Sequence, residues 1–299
     1  DAYACPNRLR TIYPAYTNRT TSGNFRAPSE PHGFYGVESM MDDIAYKIGV
    51  DPVEFTLQNM RRPTVDRPYT NYSLDQCITV ARDQFDWQAR RRVTPGSDEG
   101  PIKRGAGFSF MMFRAGVGTS SAIVRVDDRQ HYTLFVGVTD IGPGAKTTMG
   151  MIAAEELGIP LSQLEVVSGD TDRCPYSVGE SGSRTTIQTG YAVVEAAKNL
   201  KQQIAANGMP SGSDVLIASA TPVPTTDGKI RQCFGAHFVE VEVDTRLGTT
   251  KILKYVTVHE AGRIINPTTA RDQIRGATLQ GIGQALHEDL LYGPASGQP

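Results

Sequence analysis

The sequence is poor in the residues with which a single chain builds a metal centre. Its four cysteines are far apart and none belongs to a C-x-x-C pair: Cys5, Cys77, Cys174 and Cys233. An iron–sulfur cluster or a structural zinc within this chain is therefore not expected. The five histidines show no ligand spacing either. Reduced thiols are the simplest interpretation of the cysteines, and they favour a cytoplasmic location.

Long apolar runs and an excess of one charge are also missing. Apolar stretches such as 120–124 fall far short of the roughly 20 residues that cross a bilayer, so no membrane span is expected. The formal net charge of -2 provides no basic field for nucleic acid. The absence of G-x-x-x-x-G-K-[ST], H-E-x-x-H and G-x-S-x-G removes three common enzyme signatures.

The composition is that of a globular protein with a core. Hydrophobic residues make up 39% of the chain and charged residues 21%. A length of 299 residues corresponds to two domains or one large domain.

The first hundred residues show helical patterns. One apolar stripe has the spacing of a helix face that ends at Gly49: Phe34, Val37, Met41, Ile44 and Ile48. A second helix is predicted to begin with Asp51 as N-cap and Pro52 at the first position, with Glu54 reaching back to the cap. A third helix is predicted from Ser73 to about Arg91.

The pattern changes beyond the turn-forming residues 94–101, where we predict a boundary. Alternating apolar residues predict a strand at 132–138 and a hairpin over 239–258. Helices are predicted at 145–157, 187–205 and 267–286, the last with Asn266 as N-cap. The sequence thus predicts an α+β fold, with a mainly helical segment over 1–100 and an α+β domain over 101–299.

Four segments carry candidate binding chemistry. Residues 137–144 join a strand to a helix through glycines whose N–H groups could bind an anion; a tight turn is the alternative. Residues 178–186 place several hydroxyl groups at the start of a helix, where they could bind a phosphate or the edge of a pterin. The alternative is an N-cap with more hydroxyl residues than it needs. Small residues in 276–284 predict a close approach to a neighbour, which helix packing alone would explain. Arg26 would bind an oxyanion or remain a solvated charge.

Taken in order, these segments resemble the molybdenum-binding subunit of the xanthine dehydrogenase/aldehyde oxidase family. Residues 25–28 are similar to the start of the family's F-R-x-x-G-x-P-Q, and residues 139–144 to T-E-M-G-Q-G. Residues 169–172 followed by 181–184 are similar to G-D-T-D…G-S-R. Further matches are 48–52, 59–60, 103–113, 240–244, 265–267 and 276–283. The ordered series covers nearly the whole chain.

The resemblance implies the α+β fold of that family and a molybdenum–molybdopterin cofactor, with the cytosine dinucleotide form as one option. It places these residues where the family holds the pterin and its phosphate tail: Arg26, Gly142, Gly144, Ser181, Gly182, Ser183, Thr185 and Gln280. Phe108, Phe110 and Phe113 could line a substrate site, with core packing as the alternative.

Two departures from the family pattern matter. Pro143 replaces the usual Gln and offers neither a side-chain amide nor a backbone N–H. The family's catalytic glutamate belongs to a G-x-G-E segment that we expect beyond Pro299, so no catalytic residue is assigned here and the isolated chain is expected to be inactive. Glu180 imitates that segment, but its position before Ser181 assigns it to the cofactor loop. A family member split into two chains, or a fragment of one, would explain why the family's N-terminal half and its catalytic segment are not expected in this sequence.

The resemblance also implies partners. These are a chain with the other half of the molybdenum domain, an iron–sulfur (2Fe–2S) subunit and an FAD subunit. The implied activity is hydroxylation of an aldehyde or an N-heterocycle. The alternatives are a non-catalytic cofactor-binding scaffold or degenerate homologue, and a nucleotide-binding protein of another family.

Overall fold

The computed structural model describes residues 2–17, 19, 23–92, 94, 96–223 and 227–298. Its α-helices are α1 (Glu30–Ile48), α2 (Pro52–Asn59), α3 (Leu74–Phe85), α4 (Trp87–Arg90), α5 (Ala145–Leu157), α6 (Thr185–Asn207) and α7 (Pro267–Leu286). Its strands are β1 (Ile102–Arg114), β2 (Ala122–Asp127), β3 (Tyr132–Val136), β4 (Leu164–Ser168), β5 (Val215–Ala220), β6 (Gln232–Asp244) and β7 (Thr249–Glu260). The predicted α+β class is confirmed.

The chain divides into two compact units, each made of separate stretches. The first unit comprises Asp1–Arg114, Lys229–Gly262 and Gln280–Pro299, and the second comprises Ala115–Gly228 and Arg263–Leu279. The predicted boundary at residue 100 coincides with no edge of either unit, and Pro95 of that linker lies outside the described residues. Whether 1–100 and 101–299 are separate domains stays a prediction.

The first unit is built on an antiparallel sheet in the order β1-β6-β7. Alternate residues of β6, among them Phe234 and Phe238, are fully buried because one sheet face packs on the N-terminal helices. Trp87 and Phe85 complete this core, and Phe110 joins it from β1. Each such fully buried side chain contributes about 1.5–3 kcal/mol of transfer free energy.

The second unit is a four-stranded sheet in the order β4-β3-β2-β5. Strands β3 and β4 are parallel and are joined through α5, whereas the other pairs are antiparallel. Apolar side chains of α5 and α6 pack with the sheet in one core that includes Val124, Leu134, Met149 and Leu200. This β3–α5–β4 connection fixes the N-terminus of α5 beside the carboxyl end of β3.

Several predicted elements are confirmed. Helices α5 and α7 have the predicted bounds, and β6 and β7 form the predicted hairpin. Gly49 ends α1 in the left-handed conformation at φ 73°. The Asp51 carboxylate accepts the N–H groups of Val53 at 2.9 Å and Glu54 at 3.4 Å, and Asn266 caps α7 through Thr268 at 3.2 Å.

Two predictions about α1 and α2 are wrong. The apolar stripe of α1 is not its buried face: Ile44 and Ile48 are exposed, and Glu38 and Ala45 are buried instead. Glu38 can be buried there because the Tyr3 hydroxyl donates to it at 3.1 Å. Glu54 does not reach back to its cap but pairs with Arg82 at 3.1 Å.

The third predicted helix is broken into α3 and α4. Asp86 between them adopts φ 63°, which no helix residue can have. In α7, the small residues do not form the predicted close contact among the described residues. Ala277 and Gly281 are exposed, and a Cβ added at Gly281 would meet nothing within 4 Å.

Candidate cofactor-binding loops

The glycine loop, residues 137–144, leads from the end of β3 to the start of α5. Gly142 and Gly144 have φ values of 116° and 85°, which side chains rarely tolerate. Gly137 is required for another reason: a Cβ there would lie 2.3 Å from the carbonyl oxygen of Pro175. The glycines therefore shape the loop and allow a neighbouring segment to approach it.

The carboxylate of Asp140 fills the anion-binding position of this loop. It accepts the N–H groups of Gly142 and Gly144, each at 3.0 Å, and that of Lys146 at 3.4 Å. Partial burial opposes ionisation, but these N–H donors outweigh it and lower the pKa of Asp140. The loop forms the tight turn that was the alternative prediction, and the acceptor for its N–H groups is a side chain of the same loop. The role of Gly142 and Gly144 in cofactor binding stays a prediction.

The serine loop, residues 177–186, contains a short 3-10 turn at Ser181–Ser183 and leads into α6. Gly182 and Ser183 have φ values of 68° and 55°, and for serine such a value is uncommon. Ser181 and Ser183 are exposed and Thr185 is half-buried. None of their three hydroxyl groups hydrogen-bonds to another residue within the described ranges, so these groups remain open to a ligand.

Arg184 holds the serine loop from within. Its guanidinium donates to the carbonyl oxygens of Val178 at 2.7 Å, Val117 at 3.2 Å and Gly179 at 3.4 Å. Because these carbonyls occupy the guanidinium, Arg184 stabilises the loop rather than offering a free positive charge. In the sequence, an arginine next to a helix start is compatible with both roles, supporting the loop and binding a ligand, and does not distinguish them.

The segment before β2 supports the same loop. The N–H of Gly116 donates to the carbonyl oxygen of Gly182 at 2.7 Å. A Cβ at Gly118 would lie 2.3 Å from Val178 Cγ2, so only glycine fits beneath the loop. The Ser120 hydroxyl accepts the N–H of Val178 at 3.3 Å. The open hydroxyls are thus presented on a well-supported backbone.

The two loops meet. Glu180 Oε1 accepts the N–H of Thr139 at 2.9 Å, and a Cβ added at Gly137 would lie 3.0 Å from the Cβ of Ser177. The start of α7 also reaches the glycine loop, since a Cβ at Gly144 would lie 3.2 Å from the side chain of Thr269. The second unit therefore brings together six of the eight predicted site residues: Gly142, Gly144, Ser181, Gly182, Ser183 and Thr185.

The other two predicted site residues belong to the first unit. Arg26 is exposed and precedes the left-handed residues Ala27 and Ser29, which turn the chain into α1. Gln280 is half-buried on α7. Among the candidate substrate-lining aromatics, Phe110 is 1% exposed and Phe108 stacks on Phe238 with ring centroids 4.7 Å apart, so both belong to the core.

A pair of neighbouring histidines in the first unit was not found from the sequence. His237 Nδ1 lies 2.9 Å from the Tyr255 hydroxyl, and its ring centroid lies 4.9 Å from that of His259. Burial, and then the neighbouring His259, lower the pKa of His237 to about 4, so this ring is neutral at pH 7, and burial also lowers the pKa of His259. The described residues contain no group of three or more metal-ligating side chains.

Two further observations concern the cysteines and the helices. All four cysteines are free. Among the described helices, none combines the length and the hydropathy of a membrane span.

Comparison with known proteins identifies the protein family that contains these loops. Residues 80–232 and 217–299 match one family described as a molybdopterin cofactor-binding domain, and residues 1–60 match a second family of the same description. The chain is 31% identical to the putative xanthine dehydrogenase molybdenum-binding subunit XdhA of Escherichia coli K12, over 99% of this chain and 47% of that protein.

The chain belongs to the family of molybdopterin-binding subunits of xanthine dehydrogenases and aldehyde oxidoreductases. It is also 31% identical to the aldehyde oxidoreductase molybdenum-binding subunit PaoC of Escherichia coli K12, over 96% of this chain and 43% of that protein. The crystal structure of the aldehyde oxidoreductase from Desulfovibrio desulfuricans matches with a TM-score of 0.76 at 27% identity, over 89% of this chain and 32% of that one. The chain spans about half the length of the curated relatives it matches. The predicted family is confirmed, and a nucleotide-binding protein of another family is excluded.

Proposed function

We propose that this chain binds part of a molybdenum–molybdopterin cofactor through the serine loop, in the cytosine dinucleotide form. The observation that carries the proposal is a set of open hydroxyls, those of Ser181, Ser183 and Thr185, on a backbone that Arg184 and Gly116 hold in place. Hydroxyl and backbone N–H donors at a helix start suit the phosphate and pterin edges of that cofactor. The donor set therefore fits the group.

For the other predicted residues we propose cofactor contacts on the basis of the family resemblance. Gly142 and Gly144 would offer their N–H groups once Asp140 turns away, whereas Pro143 has no N–H to give. Arg26 would supply a positive charge and Gln280 an amide. When bound, the cofactor supplies the redox chemistry that inserts a water-derived oxygen into a substrate. The residues of this chain bind and orient it.

We further propose that the whole protein is a cytoplasmic oxidoreductase that hydroxylates an aldehyde or an N-heterocycle. Its partners would be a chain with the other half of the molybdenum domain, a 2Fe–2S subunit and an FAD subunit. The support is the family of the chain, whose relatives XdhA and PaoC carry the names of molybdenum-binding subunits. Four free cysteines without cluster spacing agree with clusters on partner chains.

A specific observation favours a second candidate, a non-catalytic scaffold or degenerate homologue. Asp140 already occupies the N–H groups of Gly142 and Gly144, and Pro143 removes a third donor. A scaffold would retain the cofactor without turning over aldehydes or N-heterocycles. Assay of the cofactor-loaded native assembly with both substrate classes separates the two candidates.

The test of cofactor binding is the molybdenum content of the assembly that carries Ser181→Ala and Ser183→Ala together. Each lost hydrogen bond to a charged group weakens binding by about 1.5–3 kcal/mol, so we expect at least a tenfold loss of affinity. The matched control is Ser211→Ala, an exposed serine of the same unit outside both loops. Equal molybdenum content in the double variant, the control and the parent would overturn the proposal.

A further inference from the structure

We infer that Glu180 is a positioning residue that holds the serine loop against the glycine loop, and that it is not a general base. The inference rests on the proposed function, because the serine loop matters only if it binds the cofactor. Glu180 is half-buried, and its Oε1 accepts the Thr139 N–H at 2.9 Å. Within the described ranges this is the one hydrogen bond that joins residues 137–144 to residues 177–186.

The remaining supports of the serine loop lead elsewhere. Arg184 binds carbonyls of Val178, Gly179 and Val117, and Gly182 is bonded to Gly116. These contacts fix the loop to itself and to the segment before β2, but they do not set its distance from the glycine loop. That distance depends on Glu180 and on the close approach of Gly137 to Pro175 and Ser177.

The same contact offers a way to separate positioning from catalysis. A general base needs a lone pair directed at the proton that it removes. One carboxylate oxygen of Glu180 is instead committed to a backbone N–H. An amide oxygen can also accept that N–H, whereas no amide can act as the base. Glutamine at this position therefore separates positioning from catalysis.

The experiment compares Glu180→Ala and Glu180→Gln in the native assembly, with Glu165→Ala as control. Glu165 is exposed on β4 of the same unit, and its side chain makes no hydrogen bond to another described residue. The first readout is hydrogen–deuterium exchange of the peptide that contains Thr139. We expect about tenfold faster exchange in Glu180→Ala, since a charge-assisted bond is lost, and parent-like exchange in Glu180→Gln and in the control.

The second readout is cofactor content together with turnover. Positioning predicts that Glu180→Ala loses molybdenum and that Glu180→Gln keeps both molybdenum and activity. Parent-like exchange and molybdenum content in Glu180→Ala, or full molybdenum without turnover in Glu180→Gln, would overturn the inference. Failure of the proposed function looks different: the parent assembly itself would contain no molybdopterin, while the exchange result at Thr139 would still report on the contact.

Discussion

Asp51 is the residue whose loss the structure lets us weigh most closely. Its carboxylate caps α2 through Val53 and accepts the indole N–H of Trp87 at 3.0 Å. It also forms an ion pair with Arg91, and the side chains of that pair are only 12% and 14% exposed. One buried carboxylate therefore connects α2, α4 and the residue that follows α4.

The change is Asp51→Ala, and three losses contribute to its cost. Removing a helix cap costs about 1 kcal/mol, and leaving a buried indole N–H without an acceptor costs about 1–3 kcal/mol. Breaking a buried ion pair from one side costs about 3–5 kcal/mol, which partly includes the other two losses because one group serves all three. We expect the free energy of unfolding to fall by about 3–5 kcal/mol.

The assay is urea denaturation followed by tryptophan fluorescence. Trp87 is the single tryptophan of the chain and is 2% exposed, so its emission reports on the first unit. Asp51→Asn keeps a cap and an acceptor but leaves Arg91 without a counter-charge, so its loss should be intermediate. Asp43→Ala, an exposed acidic residue of the same unit, is the control. A loss below about 1 kcal/mol in Asp51→Ala at an unchanged m-value would refute the reasoning.

Two further predictions concern pH and the cofactor. Burial raises the pKa of Glu38 from 4.5 to about 7. Between these two pH values the Glu38 carboxyl is protonated in the folded state and ionised in the unfolded state. The free energy of unfolding therefore falls by about 3 kcal/mol as the pH rises from 4.5 to 7. The free energy of unfolding of Glu38→Gln, measured by denaturation across that pH range, should lack this decline. A pH profile equal to that of the parent protein would contradict the prediction. Arg26→Ala and Gln280→Ala should each lower the molybdenum content of the assembly without unfolding it, because each removes a donor from an anionic cofactor. Full metal occupancy in both variants would remove these two residues from the site.

Helices and the hairpin with strong local signals could be predicted from the sequence. The bounds of α5 and α7 follow from glycine and asparagine at their ends, and the hairpin from alternation around a four-residue turn. The short strands β2, β4 and β5, of five or six residues, were not predicted. The buried face of α1 could not be predicted either, because the partner of Glu38 is Tyr3, 35 residues away.

The candidate site shows the same division. The glycine and serine loops could be found from the sequence because glycines and hydroxyl residues clustered at a helix start indicate either a tight turn or cap, or an anion-binding site. The acceptor for the N–H groups of Gly142 and Gly144 was missed, because it depends on how the Asp140 side chain turns within the loop. The contact of Glu180 with Thr139 spans 41 residues, and no local pattern announces it.

The central claim is that this chain is a cofactor-binding part of a molybdenum oxidoreductase. The most direct measurement is on the purified native assembly: metal analysis for molybdenum together with mass spectrometry of the cofactor released from the same sample. The account predicts molybdenum and a pterin dinucleotide in about equal amounts, both reduced in the Ser181→Ala and Ser183→Ala double variant. An assembly from molybdenum-supplied cells that contains neither, or that releases a nucleotide without a pterin, would contradict it.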